Sequence, residues 1–238
     1  MVAVSENLSD RMVSYPSDGV TMAGYVVGPK ANGRHPAIII VQEWWGLNEH
    51  IRDLTRRFAR EGYVAVAPDL YSRLGHKVTA DSNEAGKLMQ TLQLKEGLKD
   101  LNATVTYLKS LEGVDPNRIG ATGFCMGGTY ALMLPCTTQE IKAAAPFYGQ
   151  VPDPDTPLKS LAAPLLYIYG EDDGWITKVE VQRLRDALRK YNKPGEIKTY
   201  PGCPHAFFND TRKDVYHSAE AADAWSRALA FFQQHLRK

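Results

Sequence analysis

A short apolar run sets the strongest limit on how this chain can fold. Residues Ala37 to Val41 read Ala-Ile-Ile-Ile-Val, with no polar side chain among them. A strand without polar alternation is typical of a parallel sheet that is covered on both faces. Further along the chain, strand-like segments alternate with helix-like ones, which predicts crossover connections. We therefore expect an α/β fold with a mostly parallel, twisted sheet and helices on both faces.

The predicted elements follow one another with short polar loops between them. An antiparallel start is expected from Met12–Tyr15 and Thr21–Val27, which the turn residues Pro16-Ser17-Asp18-Gly19 separate. Further strands are predicted at 37–41, 63–67, 118–124, 142–148, 164–169 and 197–200, and helices at 48–62, 84–92, 97–111, 126–134, 178–191 and 218–236. We find no repeat and no interdomain linker, and we expect a single domain over residues 1–238.

Composition narrows the class of protein. Lys and Arg number 28 against 27 Asp and Glu, a net charge of +1, which argues against a dedicated nucleic-acid binder. The three cysteines are too few for a disulfide scaffold. No apolar run approaches the ~20 residues of a membrane helix, and the charged residues in 1–12 argue against a signal peptide. We expect a cytoplasmic protein that does not associate with membranes.

The segment around Cys125 carries the clearest chemical signal. A predicted strand runs into Gly123-Phe124-Cys125-Met126-Gly127, and a predicted helix follows. This arrangement has the form of a nucleophile elbow, with Cys in the place that Ser usually takes. The helix N-terminus directs backbone N–H groups towards developing negative charge and favours a thiolate. A buried structural cysteine is the alternative, but the flanking strand and helix favour a catalytic one.

A nucleophile needs a base, and the base needs an orienting acid. Asp172 and Asp173 follow one predicted strand, and His205 lies in a Gly/Pro-rich loop after the next. This is the chain order that an elbow of this kind predicts. Spacing from Gly170 favours Asp173 as the acid, and Asp172 is the alternative. The other histidines are expected to be solvated side chains: His35, His50, His76, His217 and His235.

A second loop, residues 42–46, directly follows the apolar run and reads Gln-Glu-Trp-Trp-Gly. In a fold with a nucleophile elbow, the loop at this place supplies one oxyanion N–H, here that of Trp44. The residue after the nucleophile, Met126, supplies the other. Glu43 is unexpected in such a loop, because a carboxylate opposes the formation of a nearby thiolate. A solvated loop position is the alternative for Glu43.

No cofactor and no metal are expected. A zinc site needs clustered Cys and His ligands at recognisable spacing. Cys203 and His205 are the only near pair of this kind in the sequence. One pair is too few for a zinc site.

Taken together, these motifs resemble those of the dienelactone hydrolase (carboxymethylenebutenolidase) family of α/β-hydrolases. The resemblance covers about residues 12–236 and is carried by segments 42–46, 67–73, 123–128, 147–149, 170–173 and 202–207. The family implies a triad that matches Cys125, His205 and Asp173. The ordered motifs with a Cys elbow are specific for the family, but they are not specific for the substrate.

The resemblance implies roles for three further residues. Glu43 would hold the thiol poised until substrate arrives and then help to move its proton. Arg73 would contact a substrate carboxylate, and Tyr148 would line the site. One position departs from the founding members, which carry a second carboxylate-binding arginine four residues after the histidine. That position is Asn209 here, with Arg212 as the nearest arginine, and this puts dienelactone itself in doubt as substrate.

We therefore expect a hydrolase that cleaves small esters or lactones through a cysteine nucleophile, as a monomer or weak homodimer. Its partner would be a small-molecule substrate, without nucleic acid. Two other classes stay open: a thiol-based redox sensor that uses Cys125, and a non-catalytic binding protein on the same fold. Cys136, which follows Cys125 by 11 residues, does not suggest a resolving partner for a redox pair.

Overall fold

The computed structural model describes residues 7–237. Residues 1–6, on which part of the signal-peptide expectation rests, lie outside the described residues. The chain divides into two compact units, the first ending at Gly120 and the second beginning at Ala121. The single domain over residues 1–238 stays a prediction. Within residues 7–237 no helix combines the length and apolar character needed to cross a membrane.

Eight strands of the described chain form one sheet in the order β1-β2-β4-β3-β5-β6-β7-β8. The strands are β1 (Leu8–Ser17), β2 (Val20–Pro29), β3 (His35–Val41), β4 (Val64–Pro68), β5 (Val114–Phe124), β6 (Ile141–Phe147), β7 (Leu165–Gly170) and β8 (Gly195–Tyr200). The helices are α1 (Glu49–Arg60), α2 (Ser82–Thr91), α3 (Leu94–Ser110), α4 (Met126–Met133), α5 (Lys178–Lys190) and α6 (Ser218–Leu236). The predicted α/β fold with a mostly parallel sheet is confirmed.

The first unit begins with the expected antiparallel hairpin. β1 pairs with β2 along its whole length, and Ser17 lies opposite Val20. The turn is therefore only two residues long, Asp18 and Gly19, whose φ angles of 39° and 82° are both positive. Two positive φ angles are what a tight hairpin of this twist requires. The predicted four-residue turn was too wide, because Pro16 and Ser17 belong to the edge strand β1.

β3, the apolar run from which the fold was predicted, lies beside β4 in parallel register. Its residues from Ala37 to Val41 are fully buried. Helix α1 follows, with the Asn48 side chain accepting the Ile51 N–H as its N-cap. The buried face of α1 contains Ile51, Leu54 and Phe58, and the helix contacts β2, β3 and β4.

In the second unit, β6, β7 and β8 run parallel to one another. Helix α6 contacts β6 and β7, and α4 contacts β6. Because parallel strands bring their carboxyl ends to one edge of a sheet, the residues that follow β6, β7 and β8 can converge there. Tyr148, Asp173 and His205 follow these three strands in that order.

Several element boundaries differ from the predicted ones. Helix α2 begins at Ser82 because Asp81 caps it by accepting the Glu84 N–H. Helix α3 begins at Leu94, and Gly97 lies buried inside it. Strand β5 begins at Val114, before the predicted start at residue 118. Helix α6 has the predicted bounds.

Candidate active site

Cys125 occupies a strained turn between β5 and α4. Its φ and ψ angles are 57° and −121°, a combination that a residue with a Cβ rarely adopts. The Cys125 N–H donates to the Phe147 carbonyl at 3.2 Å, and the Cys125 carbonyl accepts from Gly128 at 2.9 Å. These bonds fix the turn between the end of β6 and the first turn of α4. The residue is 7% exposed, so the thiol lies in a nearly closed environment.

Glycines let the start of α4 lie directly on the end of β6. A Cβ on Gly128 would lie 2.2 Å from the Phe147 carbonyl oxygen, and one on Gly149 would lie 2.1 Å from the Gly128 carbonyl carbon. Neither position can hold a side chain without moving the backbone. The close approach of α4 to β6 therefore occurs at Gly128. The elbow pattern instead singles out Gly127, one residue earlier.

Asp173 and His205 form a hydrogen-bonded pair. Asp173 Oδ2 accepts from His205 Nδ1 at 2.7 Å, and Asp173 Oδ1 accepts the backbone N–H groups of Trp175 and Ile176, both at 2.8 Å. The Asp173 side chain is fully buried. Asp172, the other carboxylate that the sequence left open, is exposed. Of the two, Asp173 is the one that contacts the histidine.

The imidazole of His205 is held between two aromatic rings. The ring centroids of Tyr148 and Trp175 lie 5.0 Å and 5.1 Å from it, both nearly edge-on. With Nδ1 donating to the carboxylate, the neutral tautomer leaves Nε2 as an acceptor. Nε2 is buried and has no hydrogen-bond partner among residues 7–237. A general base needs an acceptor atom in this state.

The loop that carries His205, residues 201–209, is tied to its surroundings at several points. The Cys203 carbonyl accepts the Asp172 N–H at 3.0 Å, and the Phe207 carbonyl accepts the His217 N–H at 3.0 Å. Ala206 has a positive φ of 62°, a strained value for a residue with a side chain. The loop therefore holds the imidazole in one position relative to Asp173.

Asn209 is a buried turn residue. It is 2% exposed, and its Oδ1 accepts the Thr211 N–H at 3.0 Å and the Thr211 hydroxyl at 2.6 Å. Arg212, the nearest arginine, pairs with Asp214 near the surface. The founding members' second arginine position thus holds a side chain that organises the local turn.

In the first unit, the predicted oxyanion loop is fixed by the segment after β4. The Tyr71 hydroxyl donates to the Trp44 carbonyl at 2.9 Å, and the Leu70 N–H donates to Gln42 Oε1 at 3.2 Å. Gly46 has a φ of 92°, and a Cβ there would lie 2.2 Å from the Lys77 carbonyl oxygen. Glu43 is 1% exposed, which contradicts the alternative of a solvated loop position.

Arg73 forms a bidentate ion pair with Asp100 within the first unit. Its Nε and Nη2 each donate to one oxygen of Asp100 at 2.8 Å, and the Ser17 hydroxyl adds a third bond at 2.6 Å. Asp100 is fully buried in α3, and its carboxylate raises the pKa of Arg73 through these bonds. Sequence reasoning missed Asp100. The available signal was an acidic residue on the buried face of α3, one turn before Thr104.

Cys125, Cys136 and Cys203 form no disulfide bonds. Burial raises the pKa of Cys136 to about 12. Burial and the negative charges of Glu220 and Asp172 raise the pKa of Cys203 to about 11. Both thiols are therefore protonated at neutral pH and poorly nucleophilic. Cys203 also lies beside two groups that could hold a metal ion, His217 and Glu220.

The strand order, the strained turn at Cys125 and the Asp173–His205 pair define an α/β-hydrolase. The profile of the Dienelactone hydrolase family matches residues 22–236. The chain belongs to the dienelactone hydrolase family, and the resemblance predicted from the motifs is confirmed.

Relatives cover nearly the whole chain. A provisionally assigned carboxymethylenebutenolidase from Synechocystis sp. is 36% identical over 245 residues, which cover 97% of this chain and 99% of that protein. One from Salmonella typhimurium is 39% identical, over 96% of this chain and 88% of that protein. The crystal structure of a provisionally assigned dienelactone hydrolase from Klebsiella pneumoniae superimposes with a TM-score of 0.89 at 36% identity, over 96% of this chain and 99% of that one.

Proposed function

We propose that this hydrolase cleaves small carboxylic esters or lactones, with Cys125 as nucleophile, His205 as general base and Asp173 as the orienting acid. The observation that carries the proposal is the 2.7 Å bond between Asp173 and His205 in the unit that also holds the strained Cys125 turn. Membership of the Dienelactone hydrolase family supports a hydrolase and leaves its substrate open.

In the acylation step, the Cys125 thiol gives its proton to Nε2 of His205, and the sulfur attacks the substrate carbonyl carbon. Asp173 stabilises the resulting imidazolium through Nδ1. The carbonyl oxygen carries negative charge in the tetrahedral intermediate. When that intermediate collapses, the bond to the leaving oxygen breaks and His205 protonates the alkoxide. The product is a thioester on Cys125.

In the deacylation step, His205 takes a proton from water, and the hydroxide attacks the thioester carbonyl. The carbon–sulfur bond breaks, the acid leaves, and the proton returns to Cys125. The Met126 amide at the start of α4 is proposed as an oxyanion donor, because helix N-termini stabilise negative charge. The second donor from Trp44 and the proton-moving role of Glu43 stay predictions from the family resemblance.

Two residues, Arg73 and Asn209, bear on whether the site prefers a charged or a neutral substrate. Asp100 already engages Nε and Nη2 of Arg73, so a substrate carboxylate would compete with a buried carboxylate for the same donors. Asn209 is buried in a turn. This geometry favours a structural role for Arg73 over the substrate contact that the resemblance implies. We therefore propose that neutral small esters compete well with anionic lactones. Tyr148, edge-on to the imidazole, is proposed as a wall of the site.

Hydrolysis of p-nitrophenyl acetate tests the proposal. Cys125→Ala should abolish activity, and His205→Ala should lower kcat/KM by about 10²–10⁴. Cys136→Ala is the matched control, because Cys136 is another free cysteine outside the proposed triad. A thiol sensor or a binding protein would show no turnover in the unmodified chain, and this result would overturn the proposal.

A further inference from the structure

Three side chains that the proposed hydrolysis does not use come together beside the His205 loop. Cys203 offers its sulfur, His217 a ring nitrogen and Glu220 a carboxylate oxygen, and these three atoms lie within 4.8 Å of one another. They come from two segments, the loop after β8 and the start of α6. The gap between His217 Nδ1 and Glu220 Oε2 is 3.9 Å.

These three groups are the ligand types that zinc prefers. Zinc binds sulfur at about 2.3 Å and nitrogen or oxygen at about 2.0–2.2 Å, so ligand atoms in a tetrahedral site lie roughly 3.3–3.8 Å apart. The three ligand atoms lie within 4.8 Å of one another, so their separations have to shorten by at most about 1–1.5 Å to reach such distances. Three protein ligands leave the fourth position for water, as in many zinc sites.

The different exposure of the three side chains also fits a metal site. Cys203 is fully buried, whereas the side chains of His217 and Glu220 are 40% and 39% exposed. An ion can therefore reach the imidazole and the carboxylate from solvent and then bind the sulfur beneath them. The burial also keeps the thiol away from larger reagents.

The local charge favours a cation. Glu220, whose carboxylate belongs to the cluster, supplies one negative charge. The positive end of the α6 dipole opposes a cation, but Glu220 in the first turn of the helix offsets it.

We propose that Cys203, His217 and Glu220 form a binding site for Zn²⁺, separate from the proposed triad. On binding, the Cys203 S–H bond breaks and its proton leaves to the solvent. The sulfur, a His217 nitrogen and a Glu220 oxygen each form a bond to the ion, water completes the coordination, and no group is oxidised or reduced. This revises the expectation from sequence that the chain holds no metal site.

Occupancy would join the His205 loop to α6. Cys203 lies two residues before His205, and its carbonyl already accepts the Asp172 N–H. An ion on Cys203 and His217 would add a cross-link between the loop and the helix. Since a ligand that binds only the folded state stabilises it by mass action, Zn²⁺ should raise the melting temperature.

Titration of the full chain with Co²⁺ tests the site directly, because a cobalt–thiolate bond gives a charge-transfer band in the near ultraviolet. The wild-type chain should show this band, and Zn²⁺ should remove it by displacement. Cys203→Ser should abolish the band, while Cys136→Ser and Cys125→Ser should retain it. His217→Gln and Glu220→Gln should each weaken binding by at least about tenfold.

Two results would overturn the proposal: no thiolate band at saturating Co²⁺, or a band that survives in Cys203→Ser. If circular dichroism shows that Cys203→Ser does not fold, the variants at the two half-exposed residues, His217 and Glu220, test the site instead. Unchanged Co²⁺ affinity in both His217→Gln and Glu220→Gln would then contradict the site.

Discussion

The backbones of Gly170 and Cys203 approach so closely that a Cβ on Gly170 would lie 2.4 Å from the Cys203 carbonyl oxygen. Gly170 ends β7, three residues before Asp173, and Cys203 lies two residues before His205. This contact therefore fixes the distance between the segments that carry the proposed acid and the proposed base.

Gly170→Ala should damage both stability and activity, because the added methyl must push the His205 loop away from β7. Overpacking of this kind costs about 1–3 kcal/mol of unfolding free energy. A displacement near 1 Å in a catalytic group can cost about 10²-fold in rate. Urea unfolding and ester hydrolysis measure the two effects. Gly174→Ala is the matched control, since a Cβ on Gly174 meets nothing within 4 Å. Equal behaviour of the two variants would contradict the role of this contact.

Asp173→Asn should lower kcat/KM far more than Asp172→Asn. Asp173 is buried and accepts the His205 Nδ1–H, so its loss removes the charge that stabilises the imidazolium and fixes the tautomer. We expect a loss of about 10²–10⁴ at Asp173 and little change at the exposed Asp172. Steady-state kinetics on p-nitrophenyl acetate decide between them, and a comparable loss at both positions would place the acid elsewhere.

Iodoacetamide should modify Cys125 before the other two thiols at neutral pH. Burial holds the pKa of Cys136 at about 12, and Cys203 is fully buried, so neither presents a reactive thiolate. Peptide mapping after partial alkylation gives the order of reaction, and residual esterase activity should fall in step with modification of Cys125. Activity that survives complete alkylation of Cys125 would contradict its role.

Arg73→Met should destabilise the protein by about 3–5 kcal/mol, because the buried Asp100 carboxylate would lose its charged partner. Arg212→Met is the control, since its pair with Asp214 is near the surface and is worth about 0–1 kcal/mol. Urea unfolding measures the loss of stability in both variants. The ratio of kcat/KM for an anionic lactone to that for a neutral ester should stay nearly unchanged in Arg73→Met. A selective loss of the anionic substrate would instead support the substrate contact that the family resemblance implies.

The elements of this fold could be predicted because local patterns determine them. β3 was identified from an apolar run, and α6 from an amphipathic repeat with clear ends. The turn at Cys125 was predicted because its glycines, strand and helix are contiguous in sequence. Boundaries such as the start of α2 depend on a side-chain cap at Asp81, a finer signal than periodicity.

Contacts between distant segments could not be predicted in the same way. The ion pair of Arg73 with Asp100 joins a loop to the buried face of a helix, and nothing in the spacing of the two residues indicates it. The approach of His217 to Cys203 depends on how α6 begins after a turn that Asn209 helps to organise. Such contacts are set by tertiary packing, which a single sequence does not display.

The most direct test of the proposed mechanism is to trap the acyl-enzyme. The chain would be mixed with p-nitrophenyl acetate, quenched in acid during turnover and digested for mass spectrometry. We predict one acetyl group on the peptide that contains Cys125, a slower appearance of this label in His205→Ala because thioester formation slows, and normal labelling in Cys136→Ala. Turnover without any label on Cys125, together with undiminished hydrolysis in Cys125→Ala, would contradict cysteine-based hydrolysis by this protein.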